Sequence, residues 1–275
     1  MIRTDSHMHT AFSSDSETPM EDMIQKSIDL GLTSICFTDH YDMDFPTDIY
    51  DDMDFQLDTP SYLKEFFRLK EMYQDKIDLR IGVELGLGPD LAPKMSSYLE
   101  EYKDVFDFVI GSTHLVDRKD PYLPHYFNQF ADEKDGIRRY FEENIYNLTH
   151  FPQMDSFGHC DYVVRYAPHK DDFYLPSDYQ DLLDTFLKML VEKGIALELN
   201  TAGWKYGMKS ANPHRDILRR YRELGGELIT VGADGHIPAH IAYDFKKAAD
   251  LLESVGFSYY TIYRKRKPEM IKISE

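Results

Sequence analysis

Residues 19–40, PMEDMIQKSIDLGLTSICFTDH, decide the reading of the fold. Met20, Met23, Ile24 and Ile28 recur at three- and four-residue spacing, which predicts a helix over 19–30. TSICFT at 33–38 is a short β-type run that ends in Thr38-Asp39-His40. Working outward, the same unit returns along the chain. Further strands are predicted at 2–8, 78–84, 107–113, 156–160, 195–200 and 228–233, with a weaker run at 258–263. Amphipathic stretches alternate with them at 61–75, 91–103, 134–148, 177–193, 212–224 and 239–255. Each helix carries the chain back to the same edge, so the alternation predicts a parallel α/β architecture. No Pro/Gly/Ser linker parts the chain. The expectation is therefore one α/β domain over 1–275, a TIM-like barrel of seven (βα) units rather than an open doubly wound sheet.

The chain has 275 residues, 31 Lys+Arg against 49 Asp+Glu, and a formal net charge of −18. A sequence that is 42% apolar is rich enough to form a core, which excludes global disorder. Long nucleic acid is a poor partner for so acidic a surface. The one dense basic run, Arg264-Lys265-Arg266-Lys267, is read as a solvated tail. Cys36 and Cys160 lie in separate apolar stretches and are not a C-x-x-C pair, which predicts free thiols in a reducing compartment. MIRTDSHMHTAF lacks the charged-then-apolar order of a signal segment, and no window approaches the ~18 apolar residues of a membrane span, so the expected location is cytoplasmic.

The predicted strand ends carry the chemistry. Asp5, His7 and His9 fall at alternate positions and so share a face. Later strands end in Glu84, in Ser112-Thr113-His114, in Gly158-His159-Cys160-Asp161, in Glu198-Leu199-Asn200 and in Ala233-Asp234-Gly235-His236. In a parallel barrel these ends open on one mouth. Any one of these histidines could be an ordinary buried side chain, but the set could not be buried together without cations to balance it. His and carboxylate donors without thiolate suit Zn²⁺, Mn²⁺ or Fe²⁺.

Asp5-x-His7-x-His9, Asp15, Thr38-Asp39-His40, Glu84, Ser112-x-His114, Gly158-His159-x-Asp161, Glu198-x-Asn200 and Ala233-Asp234-x-His236 together resemble the signature of the polymerase and histidinol phosphatase (PHP) superfamily. The likeness is greatest to its bacterial histidinol-phosphatase branch and runs in order through nearly the whole chain. It implies a distorted seven-stranded (βα) barrel with three divalent metal ions. Carried over by position, it implies that His7, His9, Glu84 and Asp234 hold the first ion. Glu84, His114 and His159 would hold the second, and Asp15, His40 and His236 the third. Some relatives have His at the position of Asp15, so the third donor set here is harder. Asp5, Asp39 and Asp161 are expected to fix imidazole tautomers from behind.

The implied reaction is hydrolysis of a small phosphomonoester, L-histidinol phosphate, by hydroxide activated on the metals, as a step of histidine biosynthesis. Glu84, Asp234 and Arg165 are the expected catalytic residues. Arg165 is the expected phosphate clamp, and Lys205 a second substrate contact. Residues 41–60 hold Asp42, Asp44, Asp48, Asp51, Asp52, Asp54 and Asp58 without a Lys or Arg, and are read as an acidic loop or lid suited to the cationic end of such a substrate. Two other readings remain: a PHP phosphoesterase acting on a nucleotide phosphate or as an exonuclease, and a metal-binding module without activity. Oligomeric state is not legible.

Overall fold

The computed structural model describes residues 1–43, 45–46 and 54–273. Its central sheet follows the predicted alternation. Seven strands run β1 (Thr4–Asp5), β2 (Ser34–Phe37), β4 (Asp78–Gly86), β5 (Phe108–Ser112), β6 (Ser156–Phe157), β7 (Ala196–Asn200) and β8 (Ile229–Gly232), every neighbouring pair parallel. A two-residue strand, β3 (His40–Tyr41), pairs with β4 beside Glu84 and Leu85. The ring is nearly closed where the chain after β1 meets β8. The Ser6 amide donates to the Val231 carbonyl (3.1 Å), Asp234 to His7 (2.9 Å) and His9 to Gly235 (2.9 Å). The outcome is a distorted (βα)7 barrel.

Helices α1 (Met20–Asp29), α2 (Thr59–Tyr73), α3 (Ala92–Glu101), α4 (Glu133–His150), α5 (Gln180–Lys193), α7 (Arg215–Glu223) and α8 (Phe245–Ser254) return the chain between strands, and α6 (Ala202–Lys205) is a single turn after β7. Their ends follow local chemistry. Asp58 accepts from the Ser61 amide at the start of α2, Asp132 accepts from Lys134 at the start of α4, and Gly194 takes the left-handed turn (φ 66°) that ends α5. Strand β4 is buried along nearly its whole length because it has helices on one face and the barrel interior on the other. No helix among the described residues is long and apolar enough to cross a membrane.

The basic run Arg264–Lys267 is not a solvated tail. It turns a hairpin between β9 (Tyr259–Arg264) and β10 (Lys267–Lys272), with Lys265 and Arg266 at positive φ as a two-residue turn requires. The hairpin closes the barrel floor, opposite the strand ends that carry the histidines. Tyr263 stacks on Phe108 and joins Cys36, Ile110 and Ala196 in a small apolar cluster separate from the main core. Fully buried Arg80 donates to Ser34 Oγ (2.9 Å) and to the Tyr263 carbonyl (3.2 Å). Arg264 holds Asp78, the Lys265 amide holds Asp107, and Arg266 holds Asp155, three carboxylates at the entrances of β4, β5 and β6. Charge matching with the strand entrances, invisible in a linear reading, turns the tail into a plug.

The acidic stretch also divides. Asp42 is buried in the site, Asp58 is the α2 cap, and Asp54 bonds the Gln56 amide while its carbonyl accepts from Ser14. Asp44, Asp48, Asp51 and Asp52 lie outside the described residues. Both cysteines are buried and unpaired, as expected.

Candidate metal centre

Glu84, near the end of β4, is fully buried at the middle of the histidine cluster. Its Oε2 lies 3.1 Å from His7 Nε2, 3.5 Å from His9 Nε2 and 3.1 Å from His40 Nδ1. Its Oε1 lies 3.1 Å from His159 Nε2 and 3.3 Å from His114 Nε2, and accepts from Ser112 Oγ (2.6 Å). One carboxylate thus faces two groups of imidazoles. Asp234 adds Oδ1 to the first group, 3.4 Å from His9 Nε2 and 3.9 Å from His7 Nε2. A third gathering lies toward the mouth, where Asp15 Oδ2 is 3.0 Å from His236 Nε2 and 3.6 Å from His40 Nε2. All nine residues expected to hold metal therefore come together.

The residues behind the imidazoles are not those expected. Glu198 Oε1 takes His7 Nδ1 at 2.6 Å, and Asp42 Oδ2 takes His114 Nδ1 at 2.6 Å. Asp5 accepts from the backbone amides of Ala233 and Ala242 (3.1 and 2.9 Å), and Asp161 from Asn212 Nδ2 (2.7 Å) and the His214 amide (2.8 Å). Asp39 accepts from the Thr10 amide (2.7 Å) and Ser13 Oγ (2.8 Å) and reaches His9 only through that serine. These three carboxylates brace the loops that carry the residues expected to hold metal; their hydrogen bonds go to backbone amides and to Thr, Ser and Asn side chains and not to imidazole rings. Glu198 was visible at its strand end, two residues before Asn200. Asp42 was hidden among six other aspartates, and only its spacing of two from His40 marked it.

Electrostatics favour cations at the point of convergence. Burial opposes charge on His7, but Glu198, Glu84 and Asp234 outweigh it and hold the imidazolium well above its usual range. At His114 burial is likewise outweighed, by Asp42 and Glu84, and the group is pushed up to about 10. Burial would raise Glu84, yet His7, His40 and His114 hold it well below the carboxylate range. Carboxylates sealed from water thus draw positive charge toward the ring nitrogens, and a divalent cation supplies it while using their lone pairs. Among the described residues, three sets of donor atoms gather within 4.8 Å: His7, His9 and Glu84; His40, Glu84 and His114; His9, His40 and His236. Nitrogen and oxygen donors without sulfur fit Zn²⁺, Mn²⁺ or Fe²⁺.

Above the cluster is a cavity of about 430 Å³ lined by Asp15, His40, His114, His159, Asp234 and His236 at its base. Phe45, Phe55, Tyr122, Tyr162, Tyr166 and Tyr206 form its walls, with Asp42 and Asp120 among them. Arg165 enters from a short helical turn after β6. Its guanidinium lies between the rings of Tyr162 (5.1 Å) and Tyr206 (4.8 Å), donates to Asn212 Oδ1 (3.0 Å) and stands 3.7 Å from Asp234 Oδ2. Lys205, expected beside the substrate, does not line the cavity. Its ammonium donates to the Asp234 carbonyl (2.8 Å), and burial pulls its pKa down to about 8.

The PHP domain family model matches residues 5–202. The chain belongs to the PHP domain family. A PHP relative, the histidinol-phosphatase of Lactococcus lactis, is 33% identical over 94% of this chain and 93% of its own length. A crystal structure of the L. lactis histidinol phosphate phosphatase, complexed with zinc, L-histidinol and phosphate, superposes with a TM-score of 0.87 at 31% identity, covering 98% of this chain and 99% of that one. A Listeria monocytogenes structure at 19% identity shares the PHP fold, with a TM-score of 0.77 over 89% of this chain and 99% of that one.

Proposed function

We propose that this PHP chain is a metal-dependent phosphomonoesterase that hydrolyses L-histidinol phosphate to L-histidinol and phosphate. The observation that carries the reading is Glu84, with one oxygen toward each group of imidazoles, buried beneath a cavity that His40, His114, His159 and Arg165 line. Likeness along the whole chain to a protein crystallised with zinc, L-histidinol and phosphate supports it. His7, His9, Glu84 and Asp234 would hold a first cation, Glu84, His114 and His159 a second, and Asp15, His40 and His236 a third. Bound there, divalent cations supply an activated water and offset phosphoryl charge.

The chain's own residues do the rest. Arg165 is packed against two tyrosine rings and offers its N–H groups to phosphate oxygens with little side-chain entropy left to lose on binding. Glu198 and Asp42 keep a proton on Nδ1 of His7 and His114, which leaves each Nε2 free to coordinate. Lys205 braces the backbone of Asp234. Asp42 and Asp120, set among aromatic walls, suit a substrate with an ammonium and an imidazole at the end away from its phosphate. Residues 1–275 would form a single phosphoesterase domain, a reading the pairing of the floor hairpin with the strand entrances supports.

The test is steady-state phosphate release from L-histidinol phosphate by chelator-stripped protein resupplied with Zn²⁺ or Mn²⁺, alongside 3′-nucleotides and oligonucleotides. Selective turnover of histidinol phosphate is expected. Preference for a nucleotide, or no turnover of any ester, overturns the reading.

A further inference from the structure

We infer that Glu198 is a positioning residue that ties the His7 and His159 halves of the centre into one rigid unit; this rests on the metal-dependent reading above. Glu84 faces the Nε2 atoms of both imidazoles, with Oε2 3.1 Å from His7 Nε2 and Oε1 3.1 Å from His159 Nε2. Glu198 holds the same two residues from behind. Its Oε1 takes His7 Nδ1 at 2.6 Å, and its Oε2 accepts the backbone amide of His159 at 2.8 Å and Asn200 Nδ2 at 3.2 Å.

The fold makes room for this brace. Glu198 is 1% exposed, and Gly232 on the adjacent strand β8 has no side chain where a Cβ would stand 2.9 Å from Glu198 Oε1 and 2.2 Å from the His7 Cβ. All the protein partners of Glu198 present N–H groups, so both of its oxygens must accept. A glutamine has one acceptor and an NH₂ group, and whichever way it flips, its NH₂ meets an N–H. Glu198→Gln therefore preserves size yet must release either the His7 ring or the His159 loop. Releasing His7 frees it to take the other tautomer, with a proton on Nε2 where a lone pair is needed.

The experiment is zinc binding by the full chain, measured by competition with a chromogenic chelator and by metal content after dialysis, and read separately from turnover. Glu198→Gln should bind zinc about tenfold to hundredfold more weakly at one or more sites, as removal of an outer carboxylate behind a ligating histidine does elsewhere. The metal-free variant should still melt in one cooperative transition, roughly 2–12 °C below the metal-free wild type for the about 1–3 kcal/mol that a lost buried hydrogen bond costs. Wild-type zinc affinity and stoichiometry in the variant would overturn the assignment, and because binding is scored apart from activity this failure differs from absence of phosphatase activity. Nitrogen-15 NMR of the wild-type zinc protein gives a second reading that needs no variant. His7 should carry its proton on Nδ1, and a proton on Nε2 overturns the proposal.

Discussion

Replacing Gly232 with alanine adds one methyl group at a crowded backbone position of the site. A Cβ built there stands 2.2 Å from the Cβ and 3.2 Å from the Cα of His7. Ordinary contact begins at 3.4 Å, so a separation of about 1.2 Å must be found (3.4 − 2.2). The obstacle is not the far end of a flexible chain but the root of His7, so His7 or strand β8 has to move. A misplacement of about 1 Å at a reacting centre costs roughly 10²-fold in rate. Overpacking of this kind destabilises by about 1–3 kcal/mol, and for a chain of this size each kcal/mol lowers Tm by roughly 2–4 °C. We expect Gly232→Ala to fold, to melt several degrees lower, to retain less metal and to lose most of its phosphate release. Calorimetry and a colorimetric phosphate assay on one preparation read all of this. Wild-type melting together with wild-type turnover would refute the packing argument and the place it gives to His7.

Arg165→Ala removes charge-assisted hydrogen bonds worth about 1.5–3 kcal/mol, so KM for the phosphate ester should rise roughly tenfold to hundredfold with less effect on kcat, as initial-rate kinetics will show. Chelation of the wild-type protein should lower Tm, because ions that bind only the folded state contribute about 2.7 kcal/mol at a hundred times Kd; a scan with and without chelator checks this. Arg266→Ala strands the buried carboxylate of Asp155 at the barrel floor, and denaturant titration should show a loss of about 1–3 kcal/mol while kcat stays unchanged.

The barrel and its mouth were legible because both follow from short-range pattern. Buried parallel strands read as apolar runs, amphipathic helices read at their own period, and a strand that ends in a polar residue announces its open end. His7, His9, Glu84, His114, His159, Asp234 and His236 all sit at such ends. What was misread depends on partners distant in sequence. Asp5, Asp39 and Asp161 adjoin expected ligand residues, and nothing local says that their carboxylates turn to backbone amides instead of rings. Asp42 sits in a tract read as one acidic loop or lid, yet Gly86 leaves a gap on β4 that its carboxylate fills. Lys205 lies near the strand ends, but its ammonium turns behind Asp234. Strand β10 escaped notice because KPEMIK is largely exposed and has no apolar alternation to betray it.

The floor hairpin has a consequence for biosynthesis. Every cavity-lining side chain lies at or before His236, yet Tyr263 and the arginines that seal the opposite end emerge from the ribosome only afterwards. A nascent chain can therefore have all its histidines outside the exit tunnel while the barrel is still open at the base, with Arg80 and the Asp78, Asp107 and Asp155 carboxylates lacking their hairpin partners. Frameshifts or nicks beyond residue 258 would spare the entire donor set and still yield a leaky, protease-sensitive vessel.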